Sequence, residues 1–173
     1  MLFHLSEESN IQRLEPRVAV SGEEPLVWAI DAEHVRNYLV PRDCPRVTFY
    51  RGPNTSNEDH TRFLTAHGAV LAIESAWYDR LRDCRLFRYH LPPRSFTCID
   101  AGAGYFVSRE PVVPVQVEVI EDPLGELLRQ GVEVRLLPSL WELHDAVASS
   151  TLQFSMIRMR NAAPRRAVRI APV

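Results

Sequence analysis

The 173 residues carry 20 basic and 22 acidic side chains, a formal net charge of −2, and 46% hydrophobic residues. This balance argues against a protein built mainly to coat nucleic acid, and it leaves ample apolar material for one folded domain. Every basic residue is arginine, which excludes a lysine Schiff base, a lysine general base and a P-loop lysine. The three cysteines, Cys44, Cys84 and Cys98, have neither metal-ligand nor redox-pair spacing, so a reduced, cytoplasmic protein is expected. Glu7 and Glu8 interrupt any leader-like start, and no apolar run approaches the roughly 20 residues that span a membrane.

Residues 2–5 read as a short strand, with Ser6 capping a polar turn that Glu7 and Glu8 favour. Residues 21–25 form a loop, and 26–30 (LVWAI) a buried strand. Asp31 is then a plausible N-cap for a helix over 32–39, stopped by Pro41. Residues 46–51 are β-branched and aromatic and predict a strand; 52–57 predict a loop that extends to His60. Residues 68–73 predict another buried strand, followed by a helix over 76–83 capped by Ser75. A strand over 86–91 closes at Pro92-Pro93, and 95–107 read as strand, turn, strand around Ala101-Gly102-Ala103-Gly104. Residues 115–120 alternate as a strand. Asp122, Pro123 and Gly131 bracket the clearest helix. A strand over 132–136, a capping box at 139–142 and a last strand over 152–159 complete the chain.

About eight strands that do not alternate strictly with four short helices imply an α+β fold with mixed, mostly antiparallel sheets. A single domain over 1–163 is expected, with an Arg/Pro-rich, unstructured tail over 164–173.

Several residues bear on function. His4 alternates out of phase with Phe3 and Leu5, so it is either a structural histidine bonded to a carbonyl or a donor to a ligand hydroxyl. Trp28 is either core or a stacking platform. Cys44 lies between Arg42 and Arg46, cations that would favour a thiolate, and beside Asp43, which would not; an ion-paired turn is the other reading. Glu58, Asp59, His60 and His67 are ligand types without a ligand spacing, and no metal is assigned. On a final strand Arg158 and Arg160 would share a face with Met156, either solvated or gripping a phosphate.

The stretches LFHLSEE, VWAID and PRDCPRVTF together resemble small bacterial proteins of an uncharacterised family without established activity. The first 40 residues also resemble ADP-ribosyltransferase-like domains. Phe3-His4-Leu5-Ser6 is similar to that family's H-x-[ST] motif, and Val27-Trp28-Ala29-Ile30 to its second motif strand, with Ala32-Glu33-His34-Val35 opening the helix behind. Trp28 stands where tyrosine is usual, and R-S-E and E-x-E are absent. This resemblance implies an NAD pocket in which His4 and Ser6 contact a ribose, Trp28 stacks on a ring and Glu118, the best third-motif candidate, stabilises an oxocarbenium-like transition state; the other reading of Glu118 is a solvated sheet face. Arg158 or Arg160 would take the pyrophosphate. The alternatives are a non-catalytic binding module of the same architecture and a nucleic-acid-associated protein using the C-terminal arginines.

Overall fold

The computed structural model describes residues 1–18, 24–64 and 68–165, in which eleven strands and four α-helices form an α+β fold. The large sheet runs in the order β7 (Thr97–Asp100), β8 (Tyr105–Ser108), β3 (Pro25–Ile30), β1 (Leu2–Ser6), β6 (Leu86–Leu91), β9 (Gln116–Ile120), with the two-residue β2 (Arg17–Val18) also on β3. The small sheet runs β10 (Val132–Leu137), β5 (Ala69–Glu74), β4 (Arg46–Tyr50), β11 (Gln153–Ile157). Every named pairing is antiparallel except β10 with β5.

β4 and β5 are buried on both faces, which explains their unbroken apolar runs. Leu71, Ile73 and Tyr50 face the main core with Ile30, Leu86 and Ile120 of the large sheet, so this core lies between the sheets. Val47, Phe49 and Val70 turn the other way, onto Phe63 of α1 (Asn57–Phe63) and Leu140 and Val147 at α4 (Trp141–Ala148). A third core, with Val27, Ala29, Tyr89 and Leu91, covers the outer face of the large sheet.

Several expectations change. The residues read as loop up to His60 hold α1, whose N-cap Ser56 accepts from the Asp59 N–H at 3.1 Å. The helix expected over 32–39 shortens to a 3-10 turn, Val35–Tyr38, where Asp31 Oδ1 accepts from the His34 N–H at 2.9 Å. The helix expected over 76–83 divides into a 3-10 turn, Ser75–Trp77, and α2 (Tyr78–Arg82). The last strand stops at Ile157, because Arg158 turns left-handed at φ 57° and opens a 3-10 turn, Met159–Asn161. The helix announced by Asp122 and Gly131 forms as α3 (Pro123–Arg129), with Gly131 at φ 70°. The Ala163 N–H donates to the Glu74 carboxylate, and Arg165 pairs with Asp145 at 2.6 Å. From residue 166 onward the expected tail lies outside the described residues.

Candidate functional site

The two strands that carry the first motifs part company. β1 pairs with β6 at five positions but with β3 only at Phe3↔Ile30. Past that pair the seam of the large sheet opens. Into it faces a cavity of about 530 Å³, lined from β1 and its end by Phe3 to Glu7, and from β3 by Trp28, Ala29 and Ile30. The opposite wall comes from Tyr38, Arg42 and Arg46 and from Met156 to Arg160. His4, Ser6, Trp28, Arg158 and Arg160, chosen from three separate stretches of chain, all line this one space.

His4 Nδ1 lies 3.3 Å from the Trp28 carbonyl oxygen and so reaches across the open seam. A carbonyl only accepts, so Nδ1 carries the proton and Nε2 is left as an acceptor. The expected donor to a ligand hydroxyl is therefore an acceptor from one. Burial pulls the pKa of this imidazole below its ordinary 6.5, despite the opposing pull of the Trp28 carbonyl, so the ring is neutral at pH 7. The motif histidine is held by main chain and also borders a hollow, which joins the two readings of it. The Ser6 hydroxyl accepts from the Glu8 N–H at 3.1 Å and shapes a bend, not a helical turn.

Trp28 is 39% exposed, so it is not a core residue. Tyr105 meets its ring edge to face, with centroids 5.9 Å apart. Burial, then the neighbouring Tyr105, push the Tyr38 hydroxyl above its usual range, so it stays a neutral phenol.

Arg46 is the residue that sequence reasoning missed. At 2% exposure it donates from Nε to the Asn37 carbonyl at 3.0 Å, and from Nη1 to the carbonyls of Cys44 at 3.0 Å and Arg42 at 3.3 Å. The available signal was its phase: Arg46 alternates with Thr48 and Tyr50 on the face of β4 that meets the large sheet. Burial lowers its pKa to about 10, so it remains charged. Cys44 corrects the thiolate expectation, because burial outweighs the nearby Arg46 and pushes the thiol up to about 12.

Glu118 is not brought to the cavity. The register Leu5↔Arg88↔Glu118 puts it two strands from β1 on the face opposite His4. There Arg88 holds it at 2.6 Å, with His90 at 3.3 Å, and the Arg88 hydrogen bond keeps its pKa below the usual carboxylate value. The carboxylate that does line the cavity is Glu7, whose Oε1 accepts from the Arg42 N–H at 2.7 Å. Asp59, one of the weighed metal-ligand types, instead accepts from the Thr151 hydroxyl and N–H at 2.6 and 2.7 Å, and His67 lies outside the described residues. Among the described residues no group of three or more His, Cys, Asp or Glu side chains converges on a metal position, and no helix is long and apolar enough to cross a membrane.

The model of a family of unknown function, DUF6886, matches residues 3–162. No curated protein and no solved structure matches the chain.

Proposed function

The chain belongs to that DUF6886 family, and we propose that its open seam is a binding pocket for NAD or a related nucleotide. The nicotinamide or adenine ring stacks on Trp28, and a ribose hydroxyl donates to His4 Nε2 beside Ser6. Arg158 and Arg160 face the pyrophosphate. The convergence of these five residues on one cavity, sized as small-molecule pockets are, carries the reading. The exposed indole supports it further, since a large apolar ring left open inside a cleft has surface to offer a ligand.

The proposed role is binding. Glu118, the acid that the resemblance would set against an oxocarbenium-like centre, is committed to Arg88 outside the cavity, and the carboxylate that lines it, Glu7, accepts from the Arg42 N–H. From the resemblance to ADP-ribosyltransferase-like domains we take the ligand and assign no glycosyl transfer. Titration with NAD, followed by tryptophan fluorescence and by heat, tests this. Quenching that disappears in Trp28→Phe and weakens by about tenfold or more in His4→Ala is expected, matching the loss of one buried hydrogen bond. The nucleotide should be recovered intact. Absence of both quenching and heat would overturn the reading.

A further inference from the structure

We propose that the ligand of this pocket carries phosphate, and that Arg46 is the buried anchor on which that phosphate sits. The inference rests on the reading above only in taking the cavity as a ligand site. Its own basis is a residue which that reading does not use.

Exposed arginines in this protein are repeatedly met by carboxylates: Arg85 by Glu121, Arg109 by Glu24, Arg165 by Asp145. Arg46, almost wholly enclosed, forms no ion pair with any carboxylate among the described residues. Its Nε and Nη1 are spent on three backbone carbonyls, and its Nη2 donates to no protein group among them. Carbonyl dipoles satisfy hydrogen-bonding geometry without cancelling the charge. A buried cation of this kind is costly unless an anion reaches it, and the space beside Arg46 is the cavity.

The neighbouring groups are of the same sign. Arg42 and Arg160 line the rim, exposed and without an ion pair among the described residues. Arg158 also lines the cavity, with a carboxylate oxygen of Asp43 at 3.9 Å. It is also the one non-glycine residue with positive φ among those described, a strained backbone in the wall of the cavity. Among the described residues the cavity sets four guanidinium groups against the carboxylate of Glu7, with Asp43 reaching Arg158 only at 3.9 Å, more positive charge than one ligand carboxylate could use. A phosphate ester or pyrophosphate offers more charge and more oxygen atoms, in the geometry a guanidinium fork matches.

The probe is inorganic pyrophosphate, titrated calorimetrically at low salt, with adenosine and NAD in parallel. Pyrophosphate should bind and raise the thermal midpoint, NAD should bind and adenosine should bind weakly. Arg46→Met should cut pyrophosphate affinity by about tenfold or more, as expected for removing a charge-assisted contact. Should Arg46→Met not fold, Arg42→Ala and Arg160→Ala report instead, because both side chains are exposed; each should weaken pyrophosphate severalfold without moving the midpoint of the free protein. Pyrophosphate binding without NAD quenching of Trp28 would keep this inference and remove the nucleotide. NAD binding unchanged in Arg46→Met, Arg42→Ala and Arg160→Ala would keep the nucleotide pocket and overturn the anchor. Failure of pyrophosphate to bind the native protein would overturn it as well.

Discussion

Arg158 holds φ at 57°, where the Cβ of an L-residue crowds the carbonyl that follows it. The conformation persists because the turn after it is tied down: the Asn161 N–H donates to the Arg158 carbonyl at 2.8 Å, and the Asn161 side-chain amide to the Asp43 carbonyl at 2.7 Å. Strain of this kind costs on the order of 1–2 kcal/mol, and glycine gives part of it back through the larger entropy of its unfolded chain. Arg158→Gly should therefore leave stability unchanged or raise it by up to about 1 kcal/mol, while weakening pyrophosphate binding. Urea unfolding and calorimetry on the same variant measure both. A clear loss of stability would mean that the Arg158 side chain, and not the pocket, is what the strained backbone serves.

At the level of elements, the turn at 101–104 shows how a hairpin shapes the site. Gly104 has φ 68°, and a Cβ there would overlap His34 Nδ1 and Asp31 Oδ2. Those two atoms belong to the pair that starts the 3-10 turn, with His34 Nδ1 bonded to Asp31 Oδ1 at 2.7 Å, and the Gly104 carbonyl accepts from the Asp31 N–H at 3.1 Å. The next residue is Tyr105, which borders Trp28 in the cavity. Gly104→Ala should cost roughly 2 kcal/mol or more in urea unfolding, from forbidden φ and overlap together. Gly68→Ala, with open space around it, is the neutral control. Gly104 was legible in the sequence as part of a hairpin turn, and β6 was legible to the residue because Pro92-Pro93 ends it. α1 was not, because its polar run Asn57 to His60 looks like a loop until Ser56 is seen capping Asp59 and Phe63 is seen filling the core. The helix that Asp31 predicts from residue 32 begins only at Val35, with His34 as its N-cap, because Asp31 closes a separate turn on the His34 N–H and ring.

Across the whole molecule, the site depends on contacts that chain order does not display. Alternation along β1 put His4 out of phase with Phe3, and that much was readable; that β1 and β3 share one paired position and then separate was not, since register is set by the partners of both strands. Arg46 sits in a run, Arg42 to Arg46, that reads as an ion-paired turn, and only the packing of one sheet on the other buries it. Glu118, the third-motif candidate, has Arg88 directly across from it on β6, thirty residues earlier, and Arg88 claims its charge. The sequence therefore disclosed most of the strands and five lining residues. It withheld the buried cation and the destination of the acid, both of which are set by long-range pairing.

A ligand of this protein, as proposed, enters the opened seam between β1 and β3 and meets the arginines on its far wall. Amide chemical-shift mapping of this 173-residue chain during NAD titration tests this most directly. Perturbations are expected to concentrate at residues 3–7, 28–30, 42–46 and 156–160, with 116–120 of β9 little changed. Perturbations centred on β9 and Arg88 instead, with the seam silent, would contradict the proposal.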